Sequence, residues 1–268
     1  MPSTPAHATG PTRRGLLLRL LSSPRLPAVL LGVFACWFAV WAIEPRFPAD
    51  FLIEHLLTVA VLAFLLWARR LRLFSNLSHL LLFAFLCLHV VGAHYTYSEV
   101  PYEQWFARGA ALAGIEDYSF QGTWGFRRNH FDRLVHFAFG LLCAYPIREL
   151  FVRLVRVRGV WGYLLPLDVT LSLSALYELM EWAVAMIVAA DVGQSYLGTQ
   201  GDEWDAHKDM ALATLGAVVA MGVTALVNRR LQRDFAQELA DSMRPPESPP
   251  LGEVRLAAMV EERAGKQR

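Results

Sequence analysis

The sequence predicts an all-α integral membrane protein, built as a bundle of six transmembrane helices. Hydrophobic residues make up 55% of the 268 positions, charged residues only 18%, and the mean hydropathy is +0.33, which is typical of chains that lie in lipid. Six apolar segments approach the roughly 20 residues that a helix needs to cross about 30 Å of hydrocarbon. Arginine and lysine are concentrated in alternate connections, which predicts the orientation of the bundle.

The N-terminal segment, residues 1–26, is basic and rich in Pro, Ser and Thr. It carries four arginines before the first apolar run, a pattern that superficially resembles a signal peptide. The run ends in Trp41-Ala42-Ile43-Glu44-Pro45 without a small-residue cleavage motif, and further apolar segments follow. The sequence therefore predicts a retained first span that follows a cytoplasmic basic segment.

The predicted transmembrane domain covers residues 27–227. The second span has Glu54 and His55 near its start, the fourth begins with Asp132, and the fifth is long and carries Pro166. Residues 228–268 are predicted to form a charged cytoplasmic helix followed by a flexible Pro-rich tail. The six predicted spans are about 27–43, 51–67, 77–93, 131–147, 160–190 and 206–227.

The charges of the connections predict that both termini are cytoplasmic in a bacterial inner membrane. Four connections hold four, three, four and eight Lys or Arg residues, in the order 1–26, 68–76, 148–159 and the tail after 228. The other three hold one, three and none, in the order 44–50, 94–130 and 191–205. Because basic loops stay on the cytoplasmic side, the second set is predicted to face outward.

Acidic residues and one histidine gather near the outward ends of the predicted spans. Asp132 and His136 lie at i and i+4, and Glu178 and Glu181 lie at i and i+3, so each pair shares a helix face. Ionisable groups at such depth cost about 2.5–3.5 kcal/mol each and usually face the bundle interior or a wet cavity. The sequence therefore predicts one shared polar site on the outer side.

The start of the sixth span adds three carboxylates to that site. Asp202, Asp205 and Asp209 recur at i, i+3 and i+7, which would place them on one face if the helix began before Asp202. Each polar residue also has an ordinary structural interpretation. Asp202 or Asp205 is a suitable helix N-cap, as is Asp132. His136 alone would be a hydrogen-bonded packing residue, His79 and His89 are interpreted as packing residues, and Arg133 and Lys208 are suited to pair with the acids.

Four sequence blocks resemble the YjdF family of bacterial inner-membrane proteins, and the resemblance covers about 27–227. The chain is also similar, more distantly, to VanZ-like membrane proteins, which share an Asp-basic-x-x-His-Phe helix start, a mid-helix Glu and a later pair of Asp residues. The loop 98–130 and the Glu178/Glu181 pair depart from the VanZ-like pattern. The resemblance implies an inner-membrane location. The blocks are His94-Tyr-Thr-Tyr-Ser-Glu-Val-Pro101, Arg128-Asn-His-Phe-Asp-Arg-Leu-Val-His136, Tyr177-Glu-Leu-Met-Glu-Trp182 and Gly198-Thr-Gln-Gly-Asp-Glu-Trp-Asp-Ala-His-Lys-Asp209.

The first functional hypothesis is an enzyme or binding protein for a lipid-linked or envelope small molecule at the outer leaflet. His136 would act as general acid or base, with Glu178 tuning it and Asp132 beside it. Carboxylates and an imidazole also suit a divalent cation such as Mg²⁺, Mn²⁺ or Zn²⁺, for which Asp202, Asp205 and Asp209, together with His136, are the candidate ligands. The candidate substrate-binding residues are His94, Tyr97, Arg128, Arg133, Glu181, Gln200 and Lys208, among which the two arginines suit a phosphate.

Two alternatives stay open at this point. A proton-coupled transporter would use Glu178, Glu181 and His136 as a relay, and it predicts that ionisable residues continue toward the cytoplasm. A structural membrane protein would use the same groups only to hold helices together. Apart from the lipid bilayer and such a small molecule, no partner is indicated, and nothing in the chain points to nucleic acid.

Overall fold

A computed structural model describes residues 22–187, 199–231, 235–243 and 252–265. All regular secondary structure in these ranges is helical, and a π-helical turn, Phe151–Val155, continues α6. The predicted Pro-rich tail segment 245–250 and most of the predicted N-terminal segment lie outside the described residues. The helices are α1 Leu26–Trp41, α2 Pro48–Arg70, α3 Asn76–His94, α4 Tyr102–Leu112, α5 Phe120–Trp124, α6 Phe131–Leu150, α7 Trp161–Ile187, α8 Asp205–Leu231, α9 Phe235–Ser242 and α10 Gly252–Gly265.

Five of these helices, α2, α3, α6 with its π-helical turn, α7 and α8, are long and apolar enough to cross a membrane. The first predicted span forms a shorter apolar helix of 16 residues, α1. It ends early because Glu44 adopts a left-handed conformation with φ of 48° and Pro45 follows, a sequence that breaks a helix. The all-helical membrane architecture is confirmed, while the count of six spans stays a prediction.

The bundle is built around α3 and α6, which pack against each other. Helices α1 and α2 pack on α3, whereas α7 and α8 pack on α6 and on each other. We call the end with residues 42–47, 95–130 and 199–204 the loop end, and the end with residues 71–75 and 156–160 the basic end. Helices α6 and α8 both run from the loop end toward the basic end. Helix α7, which lies between them in the sequence, runs in the opposite direction.

Small residues bring α6 and α8 unusually close together. A Cβ atom added at Gly140 would overlap the carbonyl oxygen of Ala213, and one added at Gly216 would overlap that of Phe137. Ala144 and Ala217 continue the contact one turn further and are fully buried. His136 lies four residues before Gly140 on α6, and Asp209 lies four residues before Ala213 on α8. Because residues four apart share a helix face, these two side chains lie next to each other, one turn from this contact toward the loop end.

At the basic end, a buried carboxylate fastens α6 to α3. Glu149 Oε2 accepts hydrogen bonds from the Ser75 backbone N–H at 2.7 Å and from Ser78 Oγ at 2.5 Å. Its Oε1 accepts from Arg153 at 2.9 Å. The first backbone N–H groups of a helix have no partner within it, so this carboxylate satisfies the start of α3 from a neighbouring helix.

The chain after α8 contains more helix than the sequence analysis expected. Helix α9 lies against the start of α7, where the Val160 backbone N–H donates to Ser242 Oγ at 3.0 Å and Trp161 Nε1 donates to the Ser242 carbonyl at 3.2 Å. Part of the tail that was interpreted as flexible forms α10, in which Leu256, Met259 and Val260 are exposed.

Candidate functional site

The loop end is closed by a set of buried ion pairs between the start of α6 and the start of α8. Arg128 Nη2 donates to Asp205 Oδ2 at 2.8 Å, and Arg133 Nη2 donates to Asp205 Oδ1 at 2.9 Å. Arg133 Nη2 also donates to Asp202 Oδ2 at 2.5 Å. Asp205 is only 3% exposed, so two guanidinium groups neutralise one buried carboxylate. We call these four residues the ion-pair cluster.

Polar side chains around the ion-pair cluster join the same two segments. Gln200 donates to the Asn129 carbonyl at 3.0 Å and accepts from the Asn129 backbone N–H at 3.0 Å. Lys208 Nζ donates to both oxygens of Asp202, at 2.6 and 2.8 Å. These bonds from Lys208, with one from the Trp204 backbone N–H, hold the pKa of the Asp202 carboxyl well below its usual range.

The three aspartates expected on one helix face are divided between two environments. Helix α8 begins at Asp205, so Asp202 precedes it, where Gln200 and Gly201 adopt left-handed conformations with φ of 49° and 85°. The Asp202 side chain caps that turn by accepting from the Trp204 N–H at 3.1 Å. Asp209 lies one turn into α8, next to Asp132 and His136 of α6.

The second environment lies deeper in the bundle and consists of Asp132, His136, Asp209 and Glu178, which we call the inner cluster. Asp132, His136 and Asp209 each offer one donor atom within 4.8 Å of the others. His136 Nε2 lies 3.7 Å from Asp132 Oδ1 and 3.4 Å from Glu178 Oε1. The side chains come from α6, α7 and α8, so three helices contribute to one polar centre.

The inner cluster contains buried oxygens with unused hydrogen-bonding capacity. Asp209 is 2% exposed, and neither its Oδ1 nor Glu178 Oε1 has a hydrogen-bond partner among the described residues. A buried polar atom without a hydrogen-bond partner destabilises the folded protein by about 1–3 kcal/mol. Such an atom is commonly explained by a bound ion or water, or by a role in catalysis. The inner cluster is therefore the strongest candidate for chemistry in the described part of the chain.

A third polar group connects α2 to α3 and α7. Glu54 Oε2 accepts from Tyr177 OH at 2.8 Å and from Tyr97 OH at 3.4 Å. Tyr97 OH is also 2.6 Å from His89 Nδ1. Burial, followed in effect by the nearby Glu54 carboxylate, raises the pKa of Tyr97 well above its usual range, so its hydroxyl stays protonated. We call Glu54, His89, Tyr97 and Tyr177 the tyrosine network.

A cavity of about 440 Å³ extends from these polar groups toward the basic end. Its lining residues lie on α2, α3, α6 and α7, with Phe74 and Tyr97 from the connections. Its lining includes Asp132, His136 and Tyr177 at the loop end and becomes apolar toward Ile147 and Leu150 at the basic end. The volume lies within the range of about 300–1,000 Å³ that ligand pockets occupy.

The cavity reaches the protein surface at exposed lining residues on α2 and α7. Leu57 and Phe64 on α2, and Leu173, Leu176 and Met180 on α7, line the cavity and are between 39% and 60% exposed. The neighbouring outer surfaces of both helices carry further exposed apolar side chains, such as Leu52 and Leu179. An opening framed by apolar residues on apolar helices faces hydrocarbon when the bundle is in a bilayer.

The structure brings most of the sequence-predicted site residues together at the loop end. The candidate catalytic residues form the inner cluster with Asp209, while two of the four candidate metal ligands, Asp202 and Asp205, bind arginines instead. Among the candidate substrate-binding residues, Tyr97 lines the cavity and Glu181 is buried one turn after Tyr177. Those that belong to or adjoin the ion-pair cluster are Arg128, Arg133, Gln200 and Lys208.

His94 has a different location from the rest. Its Nδ1 is 2.7 Å from the Trp41 carbonyl oxygen, and its ring packs edge-on against Trp41 with centroids 5.2 Å apart. It fastens the end of α1 to the end of α3 and does not line the cavity. The structure thus gives this histidine a packing contact, and its proposed role in substrate binding stays untested.

Three residues of the tyrosine network are not among the site residues predicted from the sequence: Glu54, His89 and Tyr177. His89 was interpreted as a packing residue, and it does pack on Phe85, but its Nδ1 also contacts Tyr97. A signal for Glu54 was present, because an acidic residue within an otherwise apolar second span is costly unless it has partners. Those partners lie on other helices, and the hydrogen bond to Tyr177 joins residues 123 positions apart.

Comparisons with known proteins agree with this description. Residues 26–230 match a family described as "Predicted membrane protein (DUF2238)". The chain is 38% identical over 180 residues to the inner membrane protein YjdF of Escherichia coli (strain K12), an alignment that spans 66% of this chain and 78% of that protein. No solved structure matches the chain.

The family match covers the blocks on which the YjdF resemblance rests, and the identity to YjdF confirms that resemblance. The more distant likeness to VanZ-like proteins stays a prediction. The matched region begins at the start of α1 and ends within α8, so it includes the ion-pair cluster, the inner cluster, the tyrosine network and the cavity. The chain therefore belongs to the DUF2238 family of predicted membrane proteins.

Proposed function

We propose that this protein is a six-span inner-membrane protein that binds, and acts on, a lipid-linked or envelope molecule whose apolar part enters the cavity from the bilayer. The observation that carries the proposal is the cavity itself, which is apolar along most of its length and ends at the inner cluster. An amphipathic molecule fits such a site, with its chain among the apolar side chains and its polar group beside His136.

The location rests on two supports. A relative with 38% identity is named an inner membrane protein, and arginine is concentrated at the basic end. With the basic end in the cytoplasm, as the positive-inside rule requires, both termini are cytoplasmic and the inner cluster lies near the outer leaflet. The described residues after 228 then form cytoplasmic helices.

In this proposal the inner cluster supplies the chemistry. His136 is the general acid or base, since its imidazole lies between two carboxylates at 3.4 and 3.7 Å and can exchange a proton with a bound polar group. Asp132 and Glu178 orient it. The ion-pair cluster, with Gln200 and Lys208, holds the rim of the site, and Tyr97, which lines the cavity, contacts the ligand.

The cavity lining argues against the transporter alternative. From His136 toward the basic end, the α6 side of the lining consists of Phe139, Cys143, Pro146, Ile147 and Leu150. A proton relay needs ionisable or hydrated groups at short intervals across the membrane. These residues provide none, so the described lining supports a pocket that is polar at one end only.

Lipid retention tests this function. We expect the purified protein to carry a bound amphipathic molecule that native mass spectrometry detects, and Ser174→Phe to reduce its occupancy at least about tenfold, because a ring at this buried position fills the cavity. Ser172 is exposed on the outer face of the same helix, so Ser172→Phe serves as the control and should retain the molecule. Equal retention by both variants would refute the cavity as the binding site.

A further inference from the structure

The inner cluster has the donor set of a cation site. Asp132, His136 and Asp209 offer one imidazole nitrogen and two carboxylate oxygens within 4.8 Å of one another. Glu178 adds a third carboxylate oxygen, 3.4 Å from His136 Nε2. Two donors bound to one tetrahedral Zn²⁺ at about 2.1 Å lie about 3.4 Å apart, and the separations of 3.4 and 3.7 Å around His136 are close to that value.

A second, independent observation is that the cluster contains donor atoms with no hydrogen-bond partner. Asp209 is 2% exposed, and its Oδ1 has none among the described residues; the same holds for Glu178 Oε1. Buried carboxylate oxygens are otherwise hydrogen-bonded almost without exception. An ion shared by these atoms would satisfy both of them at once.

The charges of the surroundings point the same way. The inner cluster holds three carboxylates and one imidazole, while the guanidinium groups of Arg128 and Arg133 direct their hydrogen bonds to Asp202 and Asp205. Lys208 likewise donates to Asp202. Counting Lys208, the two clusters hold five carboxyl groups and three cationic side chains, an excess of acidic groups that a divalent cation would compensate.

We propose that Asp132, His136 and Asp209 bind a divalent cation of the Zn²⁺ or Mn²⁺ class, with Glu178 as the fourth ligand. A site with both imidazole and carboxylate donors suits Zn²⁺ or Mn²⁺, whereas a site with oxygen donors alone suits Mg²⁺ or Ca²⁺. This set shares His136 and Asp209 with the one expected from the sequence, and it has Asp132 and Glu178 in place of Asp202 and Asp205. The cation site does not depend on the proposed lipid ligand, because all four ligands belong to the chain. Cation binding and the acid or base role of His136 are alternative states of one atom, because Nε2 cannot hold an ion and a proton together.

Direct binding measurements test the site. Protein purified with a tag that contains no histidine is stripped with a chelator, delipidated, and titrated with Zn²⁺ and with Mn²⁺ by calorimetry. The bound metal is counted by mass spectrometry. We expect one ion per chain for at least one of the two metals, and an affinity at least about tenfold lower in Asp209→Asn and in His136→Gln, because each loses a ligand.

Matched variants distinguish this site from surface binding. His207 is exposed on the first turn of α8, and Asp168 is exposed on α7, so His207→Gln and Asp168→Asn should bind as the wild type does. Thermal unfolding of the wild type should shift upward with added ion, since a ligand that binds only the folded state stabilises it. That shift should be absent in Asp209→Asn.

Three results would overturn the proposal: absence of stoichiometric binding of either ion to the wild type, unchanged affinity in Asp209→Asn, or an equal loss of affinity in His207→Gln. If Asp209→Asn does not accumulate, Asp132→Asn and the wild-type titration decide the question. Lipid loss in Ser174→Phe with unchanged ion binding would separate the two proposals, since it supports the cavity without affecting the cation site.

Discussion

At the scale of single residues, burial decides which of the ion pairs matter. Arg46 and Glu99 form a pair at 2.6 Å, but their side chains are 61% and 39% exposed. Arg133 binds Asp205 at 2.9 Å with side chains that are 17% and 4% exposed. Water screens the first pair and solvates both of its charges when the pair is broken, whereas removing one partner of the second leaves buried charge behind.

We therefore expect Arg133→Met to lower the free energy of unfolding by about 1.5–3 kcal/mol, the range for hydrogen bonds to charged groups. Arg128 still binds Asp205 in this variant, which limits the loss. Arg46→Met serves as the control and should cost less than about 1 kcal/mol. Reversible unfolding in mixed micelles measures both values, and an equal effect of the two substitutions would contradict the burial argument.

Some contacts of the site residues follow from their spacing in the sequence, and others do not. Asp132 and His136 share a helix face because of their spacing alone, and the alternation of spans places Glu178 and Asp209 at the same end. Which acid each arginine binds is a tertiary property that spacing does not determine. The site residues chosen from the sequence therefore stay predictions, although the structure places several of them together.

At the scale of helices, the close approach of α6 and α8 positions the inner cluster. Gly140 and Gly216 let the two backbones meet, and His136 and Asp209 precede that contact by one turn on their respective helices. Small residues at helix interfaces permit such an approach within membranes. The sequence contains these glycines, but their role becomes evident only once the partner helix is known.

This contact predicts that Gly140→Ala lowers the free energy of unfolding by about 1–3 kcal/mol, the usual cost of overpacking. The added methyl group meets the Ala213 backbone, which cannot rotate away as a side chain would. Cation affinity should fall as well, because separating the helices moves His136 away from Asp209. Gly222→Ala is the control on α8, where an added Cβ meets nothing within 4 Å, and it should be neutral or stabilising by up to about 1 kcal/mol. Equal stability of the two variants would refute the close approach.

Helix positions were predictable because apolarity over about 20 residues is a local property of the chain. The predicted spans two to six correspond to α2, α3, α6, α7 and α8. The first differs, since Glu44 and Pro45 end α1 after 16 residues. Helix α10 was not anticipated, because the Pro-rich segment that precedes it suggested that the whole tail lacked helix.

At the scale of the whole molecule, the contacts at the two ends of α1 bear on the number of membrane spans. Its 16 residues give a length of about 24 Å, short of the roughly 30 Å hydrocarbon core. Both of its ends, however, are fastened to α3. The Ser23 carbonyl oxygen accepts from Asn76 Nδ2 at 2.8 Å at the basic end, and the Trp41 carbonyl oxygen lies 2.7 Å from His94 Nδ1 at the loop end.

Helix α3 is long and apolar enough to span the membrane. The segment 23–41 reaches from the first residue of α3 to its last, so it must cross the same thickness. Residues 22–25 and 42–43 supply the length that the helix lacks. We therefore expect a single cysteine at Arg25 to be protected from a membrane-impermeant maleimide in intact cells, and one at Glu44 to react. Both residues are exposed in the structure, so the membrane alone should account for the difference.

The experiment uses a background without the native cysteines Cys36, Cys87 and Cys143. Gly109→Cys on α4 and Arg158→Cys at the basic end provide the references for the two sides, since both positions are exposed and α1 does not affect them. Protection of Arg25→Cys and Arg158→Cys, with reaction of Glu44→Cys and Gly109→Cys, is the pattern expected of six spans with both termini in the cytoplasm. Reaction of Arg25→Cys together with Glu44→Cys would leave five spans. It would also place the N-terminus outside, because an odd number of crossings puts the two ends of a chain on opposite sides of the membrane.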